Sequence, residues 1–155
     1  MTATSQHVCT FRLDGHLYGF DLAMVREVHP PAPWVVVPKA PPEVHGLVNL
    51  RGRIHLILDL RQMLNLKGLA PSADHLFILF REVAGESFGV VVDAIGEILS
   101  IDGKDLEWKE TERNPKSSKL IDGVLTHGEE ILTLLRANAL LGALSHNRVK
   151  QGAGS

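Results

Sequence analysis

Two stretches of this chain repeat each other, and that repeat constrains the fold more than any other feature. Tyr18-Gly19 followed by Val25-Arg26-Glu27-Val28 is echoed by Phe88-Gly89 followed by Ile95-Gly96-Glu97-Ile98, at a constant offset of 70 (88 − 18 and 97 − 27). Gly46-Leu47-Val48 and Ile54 are echoed by Gly123-Val124-Leu125 and Ile131, at an offset of 77 (123 − 46 and 131 − 54). The slip of seven falls in Thr111 to Lys119, a polar stretch with Asn114-Pro115 inside it that reads as a surface loop. Two copies of one small β-unit explain these matches better than chance. Many short strands with turn signals favour barrels, in which closure removes exposed edges.

The strands themselves are legible. Cys9, Phe11 and Leu13 alternate with polar residues, Asp14-Gly15 intervenes, and His16, Tyr18 and Phe20 alternate in turn. Asp-Gly supplies the positive φ angles of a two-residue type I′ loop, so Leu13 faces His16, Phe11 faces Tyr18 and Cys9 faces Phe20. A second hairpin is predicted from Val44 to Leu60 around Arg51-Gly52, with Ile54, Leu56, Leu58 and Leu60 on one face and Ile57 on the other. Between the hairpins, Pro30, Pro31, Pro33, Pro38, Pro41 and Pro42 forbid a helix or central strand, leaving an extended connector with Trp34-Val35-Val36-Val37 as a short strand or packing plug. Leu76 to Phe80 and Phe88 to Val92 read as doubly buried strands, and Leu120 to Thr126 with Ile131 to Leu135 as a further pair. Arg136 to Leu144 reads as a short terminal helix. Residues 1–6 and 146–155 read as flexible ends.

Composition excludes several classes. The 155 residues carry 16 Lys+Arg against 18 Asp+Glu, a net charge of −2 that gives no general pull toward nucleic acid or anionic lipid. The lone Cys9 rules out an internal disulfide framework and a thiolate zinc cluster. The first ten residues lack an apolar signal core, and no run approaches the ~18 apolar residues of a membrane span, so a cytoplasmic protein without direct membrane insertion is expected.

Catalytic signals are weak. Gly85-Glu86-Ser87-Phe88-Gly89 spells G-x-S-x-G, but a nucleophile elbow needs a helix after the serine, and Ser87 is followed by a strand pattern. The eight histidines show no metal-ligand spacing and no phosphate-binding glycine loop exists, so no enzyme, metal or cofactor is expected. Arg51, Arg53 and Arg61 cluster beside a hairpin as on barrel-type nucleic-acid binders. With only eight aromatics, several of them on core faces, pairing with Glu27 or Asp59 is the better reading. An arginine at a hairpin tip beside Val48 and Leu50 needs either a carboxylate or another protein.

Gly46-Leu47-Val48-Asn49-Leu50-Arg51-Gly52-Arg53-Ile54, continued by Asp59-Leu60-Arg61, resembles the signature of the CheW-like family. Phe11 and Leu13, Tyr18-Gly19, Val25 to Val28, Pro38 with Pro41, Gly89 to Asp93 and Gly123 follow the family in order, across about Val8 to Leu144. No histidine-kinase or receiver segment accompanies them, so the chain is similar to the stand-alone coupling members rather than to the kinase CheA or a CheV-type fusion. The resemblance implies a mainly β fold: two five-stranded SH3-like β-barrels and a short C-terminal helix in one domain over 7–145. The expected subdomains are roughly 14–70 and 71–145, with the N-terminal strand shared. It implies a non-enzymatic chemotaxis scaffold in a two-component system, held between chemoreceptor cytoplasmic tips and the CheW-like domain of a CheA-type kinase in membrane-associated arrays. It places receptor contacts at Val25, Glu27, Arg51, Val92, Asp93 and Ile95, and turn or structural roles at Gly46, Asn49, Leu50, Gly52, Asp59 and Arg61. Two positions depart from the pattern: Leu56, after His55, where proline is common, and Arg136, after Leu134-Leu135, where Asp is common. The alternative is therefore a divergent adaptor of another chemosensory pathway, for surface motility or development, with altered or lost kinase contact.

Overall fold

A computed structural model of the chain describes residues 5–66, 74–82, 85–107 and 119–143. The expected flexible ends are outside the described residues, except that Ser5 and Gln6 belong to the first strand; residues 111–118 of the expected loop are outside them too.

Strands β1 (Ser5–Leu13) and β2 (His16–Asp21) form the first hairpin, with Leu13 opposite His16, Phe11 opposite Tyr18 and Cys9 opposite Phe20. Asp14 and Gly15 take φ of 50° and 79°, both positive as a type I′ loop demands. A 3-10 turn, Leu22–Met24, leads to β3 (Val25–His29). The proline-rich connector, extended at first and then broken by turns at Pro38-Lys39 and Pro42-Glu43, leads to β4 (Val44–Leu50) and β5 (Arg53–Asp59), and a four-residue helix α1 (Leu60–Met63) follows. The second copy repeats this order as β6 (Leu76–Phe80), β7 (Phe88–Val92), β8 (Ala94–Asp102), β9 (Ile121–His127) and β10 (Glu130–Leu135), and residues 137–143 are helical.

The strands assemble into two five-stranded sheets, β8-β1-β2-β10-β9 and β3-β6-β7-β5-β4. A cut near residue 70 separates the two copies but not the two sheets. Each sheet takes the first two strands of one copy and the last three of the other, because β2 pairs in parallel with β10 and β5 with β7. The repeat read from sequence holds at the level of single residues. Leu56 opposite Phe88 corresponds to Thr133 opposite Tyr18, and Gly46 opposite Ile57 to Gly123 opposite Leu134. Beyond β3, Val35 bridges to Leu47 on β4, and beyond β8, Glu107 bridges to Val124 on β9. These matched bridges draw the outer strands of each sheet together into a small barrel, which removes the open edges.

Each barrel has its own apolar filling, and a third cluster joins them. Val48, Leu50, Ile57, Phe77, Leu79 and Val91 fill one barrel; Val8, Leu17, Ile101, Leu132 and Leu134 fill the other. Between them Phe11 and Phe20 from the first sheet meet Phe80 and Phe88 from the second, with ring centroids 4.7 Å apart for Phe20 and Phe80. The two faces expected of β5 are both used: Leu56 and Leu58 turn to the shared core and Ile57 to its barrel's filling. Ile57 and Leu58 are both fully buried, while Ile54 is 53% exposed. The reason is that β5 lies between β4 and β7 and serves its barrel's filling with one face and the shared core with the other, whereas its tip end projects outward.

Trp34 acts as the plug of the connector. Its ring lies 4.5 Å from that of His45 and packs on the filling of the second barrel, while Val35 exchanges backbone hydrogen bonds with Leu47. Burial pushes the His45 imidazole below its ordinary pKa, with neighbouring His75 adding to the shift, so the ring under Trp34 favours its neutral form. Among the described residues, no helix is long and apolar enough to cross a membrane.

Candidate functional site

The N-L-R-G block is turn machinery that holds one arginine outward. Gly46 lets the connector lie on β4, since a Cβ there would come within 2.6 Å of the Val35 carbonyl oxygen. Asn49 Oδ1 accepts a hydrogen bond from Gly52 N at 3.1 Å, and Gly52 takes a φ of 82°. Leu50 turns inward into the barrel filling. Arg51, left at the tip with φ 54°, is 70% exposed at its side chain. Its Nη2 donates to Glu27 Oε1 on β3 at 2.5 Å.

Strands β3 and β4 lie at opposite ends of their sheet's hydrogen-bonded order, so this pair crosses the seam that closes the barrel. Arg53 on the same tip pairs with Glu82, whose Oε1 also accepts a hydrogen bond from Ser87 Oγ at 3.4 Å. Val28 on β3 and Ile54 on β5 are exposed apolar residues. Water screens Arg51, so the pair with Glu27 contributes only about 0.5 kcal/mol to stability. Its effect is to orient a planar, five-donor group at the surface, where a partner can meet it.

Arg61 has the opposite environment. Asp59 caps α1 by accepting from Arg61 N, which seats the guanidinium at the junction of the two sheets with only 6% of the side chain exposed. Nη2 donates to Asp93 Oδ1 at 2.5 Å and, with Nε, to Asp14 Oδ1 at 3.2 and 3.3 Å. Asp93 also accepts from Asp14 N at 2.9 Å, and its own N–H donates to the Arg12 carbonyl. Burial works against the charge on Arg61, but Asp93 and Asp14 outweigh it and push its pKa up. Asp14 belongs to the β1–β2 turn and Asp93 to the bend between β7 and β8, so one arginine ties the first hairpin to both halves of the chain.

Of the six residues placed at a receptor surface by resemblance, Glu27 and Arg51 come together at the surface. Asp93 is turned to Arg61, Ile95 is half-buried, and Val25 and Val92 lie in the shared core with 9% and 0% exposure. Gly46, Asn49, Leu50, Gly52, Asp59 and Arg61 occupy the structural positions just described. Sequence reading assigned Asp14 to its turn alone and missed its bond to Arg61, 47 residues away.

Ser87 precedes β7 rather than a helix, and its hydroxyl meets Glu82. Among the described residues, no group of three or more His, Cys, Asp or Glu is placed to hold a metal ion.

A family model described as the CheW-like domain matches residues 7–145. The chemotaxis protein CheW of Rhizobium meliloti is 29% identical over 107 residues, covering 69% of this chain and 68% of that protein. The chemotaxis protein CheW of Bacillus subtilis is 22% identical over 140 residues, covering 89% and 88%. The crystal structure of scaffolding protein TtCheW from Thermoanaerobacter tengcongensis superposes with a TM-score of 0.78 at 24% identity, covering 90% of this chain and 89% of that one. With nearly the whole described chain inside the family match, and with the signature residues doing the structural work that holds Arg51 outward, this chain belongs to the CheW-like family.

Proposed function

We propose that this chain is a non-enzymatic chemotaxis scaffold that couples the cytoplasmic tips of chemoreceptors to a CheA-type histidine kinase. The observation that carries the reading is the Arg51–Glu27 pair: the local turn chemistry holds Arg51 out of the core with its side chain 70% exposed, where the pair with half-buried Glu27 adds little to the fold. An apolar receptor helix hairpin docks beside this pair, with Val28, Ile54 and half-buried Ile95 adding apolar contact and Val25, Val92 and Asp93 holding the surface from below. The names of the relatives, chemotaxis proteins and a scaffolding protein, support the same reading.

The two departures from the family pattern are absorbed by the fold. Leu56 pairs with Leu47 and Phe88, and Arg136 N donates to the Leu120 carbonyl just as Asp59 N donates to Glu43 in the first copy. A divergent adaptor would share the receptor side and differ in kinase binding. On this reading Arg51→Ala weakens binding of a receptor cytoplasmic fragment about 30-fold, ~2 kcal/mol, in titration calorimetry, while unfolding stability stays within about 0.5 kcal/mol of wild type. Unchanged affinity would remove Arg51 from the receptor surface.

A further inference from the structure

The internal repeat gives every position of the Arg51–Glu27 site a counterpart in the other sheet. Glu27 and Val28 on β3 correspond to Glu97 and Ile98 on β8, since Val28 opposite Ile78 matches Ile98 opposite Cys9. The tip Leu50-Arg51-Gly52-Arg53 corresponds to His127-Gly128-Glu129-Glu130, because both tips close on the same register. The position of Arg51 is therefore filled by Gly128, which keeps the positive φ, 63°, and has no side chain.

Two consequences are visible at the counterpart site. A cleft of about 290 Å³ lies there, bordered by Thr10, Arg12, Glu97, His127 and Glu130. Glu130 is engaged by Arg12 in a two-pronged ion pair at 2.5 and 2.9 Å. The carboxylate of Glu97, exposed and lining the cleft, makes no ion pair among the described residues. Its backbone carbonyl is fixed by Thr10 Oγ1 at 2.5 Å, which holds this stretch of β8 in place. Beside it Ile98 and Ile131, the counterparts of Val28 and Ile54, are 59% and 56% exposed.

We propose that this cleft is a second protein-docking site, and that it receives an arginine side chain from a partner in the place Arg51 fills in the other sheet. The occupant is a protein segment that carries arginine between aliphatic residues. The carboxylate of Glu97 takes the guanidinium and Ile98 and Ile131 take the aliphatic flanks. Arginine suits the site better than lysine because its planar fork can meet both oxygens of a carboxylate at once.

A blocked Leu-Arg-Gly-Arg-Ile peptide, titrated into the whole chain labelled with 15N, tests the assignment. The peptide is expected to shift the backbone resonances of Glu97, His127 and Glu130, with binding about tenfold weaker to Glu97→Gln and unchanged for Glu86→Gln, an exposed carboxylate elsewhere. Glu97→Gln alters an exposed side chain and keeps its shape, so an unperturbed spectrum of the free variant certifies the fold. Absence of shifts in the cleft would overturn the proposal. So would equal binding by wild type and Glu97→Gln, or equal binding of a Leu-Lys-Gly-Lys-Ile peptide. Self-association of the chain that Glu97→Gln abolishes would support the site and identify a second copy as the arginine donor.

Discussion

Phe20→Ala lowers the unfolding free energy by about 4 kcal/mol, and the chain melts in one transition rather than barrel by barrel. Phe20 is fully buried and stands where the two sheets meet, 5.1 Å from Phe11 on its own sheet and 4.7 Å from Phe80 on the other. Removing its ring leaves a cavity lined from both sides, which neither barrel can close without leaving the other. Edge-on aromatic contact adds about 1 kcal/mol to the loss of buried area. A domain of this size has a total stability of about 5–15 kcal/mol, so the effect is a large share of it. Urea unfolding followed by circular dichroism and by tryptophan fluorescence measures it. Coincident curves with a lowered midpoint are expected; a loss below about 1 kcal/mol, or two separated transitions, would show that the aromatic cluster does not join the barrels.

Arg61→Ala has the next largest effect, a loss of about 3 kcal/mol. The substitution removes the guanidinium that stands between Asp14 and Asp93 at the sheet junction and leaves Asp93 with the imidazole of His75, 3.7 Å away, in place of a fixed charge. Breaking a buried pair in this way costs about 3–5 kcal/mol, and the lower end applies because the two aspartates remain 26% and 23% exposed and can rehydrate. Arg61→Lys recovers only part of the loss, because a single ammonium cannot reproduce the contacts that Nε and Nη2 make to two carboxylates. Urea midpoints of the three proteins check the order wild type, lysine, alanine. Equal midpoints would reduce the Arg61 cluster to a surface ion pair.

Much of the fold is legible in the sequence because its signals are local. Asp14-Gly15 and the alternation on either side of it determine the register of the first hairpin, and the structure keeps all three expected pairs. The echo at offsets of 70 and 77 reappears as matched ladders. The exchange of strands between copies is not legible, since the parallel pairs β2–β10 and β5–β7 join segments far apart in the chain and carry no turn signal. The alternation along β5 assigned its two faces correctly, but not that Ile54, at the tip end of the strand, projects past the core and is 53% exposed.

Within the site, the outward placement of Arg51 was readable because the turn that holds it spans only Asn49 to Gly52. The Arg61 bond to Asp93 was not, because 32 residues separate the two side chains. Val92 shows the limit of resemblance used without burial. The run Phe88 to Val92 already read as doubly buried, and the side chain is indeed inside the shared core.

The most direct test of the coupling claim uses three purified components: this chain, a chemoreceptor cytoplasmic fragment and a CheA-type kinase from the same organism. Sedimentation of the mixtures shows whether the kinase travels with the receptor fragment. The account predicts that it does so only when this chain is present, and that Arg51→Ala releases the receptor while the kinase stays bound. A chain that binds the receptor fragment but never brings the kinase with it, or that binds neither, would contradict the account.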